Sequence, residues 1–184
     1  MANVLVQTHV AAMDVDALNR SAVAAVDIQN GAALVCSGQS STAGQKYVFS
    51  VAAPTEVAKG LWMAYSPEVV KTVDGTLVFV GLDADPRHFV NKAGDVFDIF
   101  KPVANVDMIQ VTKDFFEANY DPATVAGATY VEIQADGKFR AVASATEGFD
   151  GLQFKIFAKE DIIIANGSIG GEGVDAWILE CVNN

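Results

Sequence analysis

The chain contains only two histidines, and their surroundings decide whether hydrolytic chemistry is expected. His9 lies in a short apolar segment near the N-terminus, and His88 follows the polar run Asp83-Ala-Asp85-Pro-Arg87. A serine or cysteine nucleophile needs a histidine within hydrogen-bonding reach as its general base. Neither histidine is accompanied by a Gly-x-Ser-x-Gly turn or by a cysteine-protease signature. The sequence therefore predicts no enzyme activity, and we nominate no catalytic residue.

Carboxylates are concentrated in one stretch of the sequence, at Asp83, Asp85, Asp95 and Asp98. Oxygen-rich loops of this kind can bind Ca²⁺. The Asp-x-Asp pattern here lacks the following glycine and the distal glutamate of a helix-loop-helix calcium site. Carboxylates at turns and strand edges account for the cluster. We therefore expect neither a metal ion nor a cofactor.

The charge balance excludes one class of partner. The 184 residues include 12 basic and 23 acidic side chains, for a net charge of −11. This charge repels a phosphate backbone and no run of lysine or arginine offsets it, so no nucleic-acid binding is expected. Hydrophobic residues make up 51% of the chain. This excess indicates apolar surface buried between subunits, which predicts a homo-oligomer.

The two cysteines, Cys36 and Cys181, lie toward opposite ends of the sequence in apolar, strand-like contexts. Their spacing is not that of a metal site. Because cysteine favours protein interiors, we expect two buried, reduced thiols, and the sequence leaves a disulfide between them open. The N-terminal segment lacks a basic region followed by a long apolar stretch, and no run reaches about 18 apolar residues. Neither a signal peptide nor a membrane span is expected.

The elements that would position these residues are short strands separated by turn residues. The clearest is a hairpin over 128–144, in which apolar and polar residues alternate on both sides of Asp136-Gly137. Long helical periodicity is absent, apart from a stretch at 112–119. The sequence predicts an all-β fold with at most one or two short helices, as an antiparallel β-barrel or β-sandwich. Besides the hairpin, the predicted strands are 32–37, 46–53, 61–65, 77–80, 96–100, 106–111, 152–158, 161–165 and 176–182.

The N-terminal residues 1–26 differ from the rest because they contain no aromatic side chain. A short helix over 14–25 is one interpretation, but its apolar stripe is thin, which favours an extended arm. We therefore predict an N-terminal arm over 1–26 and a β-rich domain over 27–184. If that domain has two sub-domains, the seam between them is expected near 102–120.

Most aromatic residues fall in predicted strands at the two-residue spacing of a sheet. Such residues belong to a core more often than to a sugar-stacking platform. They are Trp62, Tyr65, Phe79, Phe97, Phe100, Phe154, Phe157 and Trp177.

Three stretches resemble small proteins encoded beside the major capsid protein of tailed bacteriophages. Together they cover about residues 27–116, and they are structural patterns rather than an active-site signature. The first is an acidic turn that opens a strand, the second an Ala-x-Pro pattern followed by Leu-Trp-x-x-x-Ser-Pro-Glu, and the third a Gly-Asp-x-Phe turn. In this chain they are Asp27-Ile-Gln-Asn-Gly31-Ala-Ala-Leu-Val, then Val48-Phe-Ser-Val-Ala-Ala-Pro54 with Leu61-Trp62-Met-Ala-Tyr-Ser66-Pro67-Glu68-Val, then Phe89-Val-Asn-Lys-Ala-Gly94-Asp95-Val-Phe97-Asp-Ile-Phe100.

The resemblance implies a capsid decoration, or cement, protein that binds the outside of an assembled shell and bridges its capsomers. Its partner would be the lattice of the major capsid protein, and it would act as a trimer or dimer. Its location would be the capsid surface of the virion, after assembly in the host cytoplasm. An N-terminal arm that adds a strand to a partner's sheet would be a suitable anchor. We nominate Val4, Leu5, Val6 and Val10 for that contact.

Three other readings of the sequence stay open. The chain could be a receptor- or glycan-binding virion appendage, which predicts an exposed aromatic patch near Trp62 or Trp177. It could also be a capsid or tail subunit that polymerises with itself. The third is a hydrolase, which predicts His88 and a carboxylate in one deep pocket.

Overall fold

The computed structural model describes residues 4–11, 14–41, 47–66, 69–71, 77–79, 89–164 and 172–184, and for 69–71, 77–79, 164 and 172 the backbone alone. The fold is nearly all β, which confirms the predicted fold class. Its helical elements include two short 3-10 turns, Asp16–Leu18 and Lys113–Phe115. No helix among the described residues is long and apolar enough to cross a bilayer. The strands are β1 (Leu5–His9), β2 (Asn19–Ala24), β3 (Ala33–Gln39), β4 (Val48–Ala52), β5 (Trp62–Ala64), β6 (Val69–Lys71), β7 (Leu77–Phe79), β8 (Val96–Phe100), β9 (Met108–Thr112), β10 (Tyr130–Ile133), β11 (Phe139–Val142), β12 (Gln153–Lys159), β13 (Ile162–Ile164), β14 (Glu172–Val174) and β15 (Ala176–Asn183).

Five strands form a closed barrel in the order β2-β4-β3-β5-β8, with β8 returning to β2. The pair β2–β4 is parallel and the other pairs are antiparallel. The interior holds three small side chains, Ala22, Ala24 and Ala64, around larger ones such as Trp62 and Phe97. A narrow barrel is filled in this way, since small residues leave room for the large ones opposite.

The second large element is a six-stranded antiparallel sheet in the order β1-β9-β15-β12-β10-β11. One face of this sheet is buried under aromatic side chains. The rings of Phe139 and Phe154 stack with centroids 6.1 Å apart, and Phe115 and Phe116 pack on Phe139 at 5.1 and 6.0 Å. Two further antiparallel pairs, β6–β7 and the β13–β14 hairpin, form separate two-stranded sheets.

The barrel packs its outer wall against the buried face of the sheet. Ala33, Met63 and Phe100 are cross-strand neighbours on β3, β5 and β8, and all three belong to the same buried cluster as Phe139 and Phe154. Phe100 is therefore buried although it lies on the opposite side of β8 from the barrel interior. One hydrophobic core joins the two elements.

Gly31 lies where the barrel meets the sheet. Its backbone φ is +81°, a conformation that L side chains rarely adopt. A Cβ atom there would lie 2.1 Å from Cζ of Phe115. Glycine is required at this position because the ring of Phe115 occupies the space of a side chain.

The segment predicted as an N-terminal arm is built into both elements. β1 pairs with β9 at the edge of the sheet, and β2 pairs with β8 and β4 in the barrel. This differs from the expectation of an arm lying apart from a domain that begins at residue 27. The physical reason is that the alanines of β2, which make a thin stripe on a helix, fit the narrow barrel interior.

The chain passes from the barrel to the sheet between the end of β8 and the start of β9, over residues 101–107. This crossing lies at the beginning of the predicted seam. The predicted strands agree with the structure from β3 onward, within the described residues. β6 and β14 are additional strands, and β14 lies in the segment expected to be a glycine-rich loop. Residues 67 and 68 of the Ser-Pro-Glu pattern lie outside the described residues.

Both cysteines are free thiols. Cys181 is buried in the core of the sheet, and Cys36 is half-buried beside the core of the barrel. Burial is the main reason, and the nearby charge of Asp107 the second, why the pKa of the Cys181 thiol is raised to about 12. The expectation of two buried, reduced thiols is therefore met by Cys181 and in part by Cys36.

Candidate interaction surface

The face of the six-stranded sheet that points away from the core carries several apolar side chains. Residues directly opposite each other in a sheet share a face. One cross-strand row on this face runs through Val6, Gln110 and Ile178, and the next runs through Met108, Glu180, Lys155 and Tyr130. These rows alternate with the buried rows. We define the outer sheet face by its apolar members, Val6, Met108, Tyr130, Phe157 and Ile178.

Phe157 is the most exposed member of the outer sheet face. It lies in a β-bulge of β12, between Ile156, which pairs with Leu179, and Ala158, which pairs with Ile178. Its side chain is 66% exposed. Apolar surface of this extent stabilises a complex when a partner removes it from water.

The sequence contained a signal for this exposure. Phe157 shares the polar side of its strand with Gln153 and Lys155, although aromatic residues of the strands were expected to lie in the core. That expectation holds for Trp62, Phe97, Phe100, Phe154 and Trp177, but it is wrong for Phe157. Phe79 is outside the part of the chain whose side chains are described.

The β13–β14 hairpin adds a second exposed apolar residue close in sequence to Phe157. Ile163 is 77% exposed, and its neighbour Ile162 is half-buried. Lys159, just before the hairpin, pairs with Asp175 just after it, with Nζ and Oδ1 2.7 Å apart. The hydrogen bond to Asp175 is the main reason why the pKa of Lys159 is raised. This ion pair joins the two ends of the hairpin.

A buried carboxylate limits the outer sheet face at its far end. Glu132 of β10 accepts hydrogen bonds from the backbone N–H of Thr146 (2.9 Å), from its hydroxyl (3.0 Å) and from Nε2 of Gln153 (3.1 Å). These bonds hold the loop after β11 over the sheet. The open part of the face therefore lies over β1, β9, β15 and the later half of β12.

The two edge strands of the sheet, β11 and β1, differ in whether another segment of the chain covers them. At β11, the N–H of Glu117 donates to the carbonyl of Phe139 (2.8 Å) and the N–H of Ala141 donates to the carbonyl of Tyr120 (2.8 Å). Glu117 also forms an ion pair with Arg140 at 2.6 Å. The segment from residue 116 to 120 thus covers this edge.

The opposite edge, β1, is not covered by any of the described residues. Val4 bonds with Thr112 of β9, and alternate residues of a strand direct their backbone groups to opposite sides. Leu5 and Gln7 therefore direct theirs away from β9, and no backbone group of the described residues bonds to them on that side. An open strand edge is a template for a strand from another chain.

The four nominated residues lie in and around β1. Val4, Leu5 and Val10 are buried against their own chain, and Val6 is 38% exposed on the outer sheet face. Val6 is thus the nominated side chain that is available to a partner in this conformation. Contact of the four residues with a partner stays a prediction, and the backbone edge of β1 offers a route to it that leaves the buried side chains in place.

Two buried carboxylates, Asp107 and Asp121, accept hydrogen bonds in the loops next to the sheet. Asp107 accepts hydrogen bonds from the N–H groups of Ala11 and Val103, both at 2.7 Å. Burial would raise the pKa of Asp121, but the hydrogen bond from Thr124, the charge of Lys113 and the backbone N–H that the carboxylate accepts outweigh it, and the pKa is lowered. The hydrogen bonds of both carboxylates stabilise the conformation of loops that flank the sheet.

A cleft of about 310 Å³ lies where the barrel meets the sheet. Its floor consists of aromatic residues of the core and its rim carries charges of both signs. None of its lining residues is a histidine or a cysteine. They are Gln29, Gly31, Ala32, Asp114, Phe115, Phe116, Asp136, Gly137, Lys138 and Phe139.

The residues considered for chemistry are not brought together in the described structure. His9 is exposed at the end of β1 and Asp98 on β8 lies 3.5 Å from the hydroxyl of Ser21. His88, Asp83 and Asp85 lie outside the described residues. Within the described ranges, no group of three or more His, Cys, Asp or Glu side chains is arranged to hold a metal ion. The expectations of no enzyme activity, no metal and no cofactor remain predictions.

The two tryptophans do not form the exposed patch that the glycan-binding reading predicted. Trp62 lies in the barrel core and Trp177 packs on Phe116 in the core of the sheet, with ring centroids 5.5 Å apart. Both are buried. The exposed aromatic residues among those described lie elsewhere, at Phe157, Tyr120 and Tyr47, and Tyr47 is 81% exposed.

Comparison with known proteins adds no relative: no protein-family model, no curated protein and no solved structure matches the chain significantly.

Proposed function

We propose that this protein is a structural virion protein that binds the outside of an assembled tailed-phage capsid and stabilises the shell by bridging capsomers. Its partner is the lattice of the major capsid protein, and it acts there as a homo-oligomer on the virion surface. It performs this task with its surface and without a cofactor, a nucleic acid or a membrane.

The observation that carries the proposal is the outer sheet face. One face of the six-stranded sheet is filled by the aromatic core, while the other presents Phe157 and Val6 to solvent beside half-buried Ile178. Gln110, Lys155 and Glu180 lie among them. A mixture of apolar anchors and polar neighbours is typical of surfaces that bind other proteins.

The energetics favour a partner that repeats its binding sites. Burying the exposed part of one phenylalanine ring contributes about 1–2 kcal/mol, which is too little for stable binding by one contact. A capsid presents the same site many times, so an oligomer gains avidity from several weak contacts. A ligand that binds the assembled lattice and not its free subunits stabilises the lattice by mass action.

The resemblance to decoration proteins and the open edge of β1 support the same proposal. The three resembling stretches supply the turn before β3, the strands β4 and β5, and the turn before β8. These elements form much of the barrel. The barrel in turn presents the sheet, whose open edge can accept an extended segment of a neighbouring capsid subunit.

The experiment is to mix the purified full chain with expanded capsids, with unexpanded capsids and with free subunits of the major capsid protein encoded with it. Electron microscopy and co-sedimentation then report where the chain binds. The proposal predicts regular density on expanded capsids and no binding to free subunits. A chain that forms tubes or shells by itself would instead support the self-assembling subunit. A chain that leaves all three preparations undecorated would contradict the proposal.

A further inference from the structure

Arg20 lies between two aromatic rings on the barrel. Its guanidinium carbon is 4.3 Å from the ring centroid of Phe49 and 4.5 Å from that of Trp62. The rings come from β4 and β5, whereas Arg20 comes from β2. Such contacts hold a guanidinium in a fixed orientation and exclude water from its faces, so its in-plane N–H groups remain for binding.

The in-plane N–H groups of Arg20 have little to bind within the chain. Its one hydrogen bond among the described residues is a weak contact from Nη1 to Sγ of Cys36, at 3.9 Å. No buried side-chain nitrogen or oxygen in the described part of the chain lacks a partner. The remaining nitrogens of Arg20 therefore reach solvent. No acidic group of the described residues forms an ion pair with Arg20, although the protein has a net charge of −11.

Arg140 shows how the same arrangement is completed within this chain. Its guanidinium carbon lies 4.4 Å from the ring centroid of Tyr120. Its Nε and Nη2 atoms donate to the same carboxylate oxygen of Glu117, at 3.0 and 2.6 Å. A stacked arginine thus binds a carboxylate in the plane of its guanidinium. At Arg20 the stacking is doubled and the carboxylate is missing among the described residues.

We propose that Arg20, clamped by Phe49 and Trp62, is a binding site for a carboxylate, supplied by an aspartate or glutamate side chain of the partner protein. Charge complementarity supports this occupant, because a planar guanidinium with free in-plane donors matches a carboxylate. The identity of the partner as the capsid lattice rests on the proposed function. The affinity of the site for carboxylates does not.

Cys36 offers a direct test, because its thiol lies beside Nη1 of Arg20. The full chain is alkylated with iodoacetate, which carries a carboxylate, and with neutral iodoacetamide, and mass spectrometry gives the rate at Cys36 with each reagent. Because both reagents alkylate the same thiol, a change in the reactivity of that thiol affects both rates equally and leaves their ratio unchanged. In Arg20→Gln the ratio of iodoacetate to iodoacetamide should fall about fivefold, because the carboxylate loses a charge-assisted hydrogen bond. Arg20→Lys, which keeps the charge but not the planar donors, should recover only part of the ratio.

The control is Lys92→Gln, which removes one exposed positive charge that pairs with Asp27, and it should leave the ratio unchanged. Circular dichroism verifies that each variant is folded. An equal ratio in the wild type and in folded Arg20→Gln or Arg20→Lys would overturn the carboxylate site.

Binding of the variants to expanded capsids separates the two proposals. Weaker binding of Arg20→Gln, together with the lower ratio, supports a lattice carboxylate as the occupant. A lower ratio with unchanged capsid binding would overturn the lattice as its source and leave the proposed function standing. If the wild type does not bind capsids at all, the proposed function fails, while the ratio of rates still decides whether the site exists.

Discussion

The barrel and the six-stranded sheet are both built from short strands, but they differ in how much strand edge and apolar surface they leave uncovered. The barrel closes on itself, so its strands have no free edge, and its interior is lined by Ala22, Ala24 and Ala64 around a few large side chains. The sheet stays open. One of its edges is covered, no part of the chain that the structure describes covers the other edge, at β1, and its outer face exposes Phe157. The barrel completes its own packing, whereas the sheet retains surface that a partner can complete.

The difference also appears in how the two interiors are filled. The core of the sheet is a cluster of aromatic rings, and the interior of the barrel is limited by alanines. Protein stability should be most sensitive to loss of side-chain volume in the core of the sheet and to added side-chain volume in the interior of the barrel. Substitutions of both kinds test this contrast, together with the difference between the two faces of the sheet.

The largest effect is expected for Phe139→Ala in the core of the sheet. The ring of Phe139 contacts Phe115, Phe116 and Phe154 and is almost fully buried. Its loss should lower the free energy of unfolding by about 3–5 kcal/mol, because a cavity remains among rigid rings. Chemical denaturation measures this. Phe157→Ala on the same sheet is the matched control and should cost less than about 1 kcal/mol; similar losses for both would contradict the assignment of the two faces.

A smaller loss is expected when the barrel is overfilled. Ala22 is fully buried inside it, opposite Phe97 on β8. Ala22→Leu should lower the free energy of unfolding by about 1–3 kcal/mol, because a narrow interior cannot take the added volume without displacing neighbours. Val23→Leu, at the next position of β2 and half-buried, should stay within about 0.5 kcal/mol. Tolerance of Ala22→Leu would show that the barrel interior is looser than described.

The third effect concerns pH. Burial in the folded state raises the pKa of the Cys181 thiol to about 12, whereas in the unfolded chain this pKa is near the ordinary thiol value of 9.0. A group whose pKa is raised on folding contributes stability that is complete at low pH and is lost as pH rises. The loss should approach about 1.4 kcal/mol per pH unit above pH 9. Between pH 8 and 10.5, the free energy of unfolding should fall more steeply with pH for the wild type than for Cys181→Ala. Equal slopes for the two proteins would contradict this burial.

Much of the fold could be predicted from residue patterns. Alternation and turn residues located the hairpin of β10 and β11, where Gly137 has a φ of +79°, and β8 over residues 96–100. β1 and β2 were not predicted, because a run of valines or alanines is equally compatible with an arm. Only pairing with β9 and β8, far away in sequence, decides the structure of these segments.

The candidate surface was less predictable than the fold. The polar side of β12 indicated which way Phe157 points, but the bulge that displaces it is a property of the pairing with β15. Arg20 carried no signal, since Phe49 and Trp62 approach it only when the barrel closes. Binding sites made by cross-strand neighbours depend on register, which one sequence does not determine.

The outer sheet face as the surface that binds the capsid is tested most directly by one pair of variants. Phe157→Ser removes an exposed ring from this face, and Tyr47→Ser removes an even more exposed ring just before β4 of the barrel, so that neither disturbs a core. The apparent Kd for expanded capsids should rise about tenfold for Phe157→Ser and stay at the wild-type value for Tyr47→Ser. Wild-type affinity of folded Phe157→Ser, or an equal loss in both variants, would contradict this assignment.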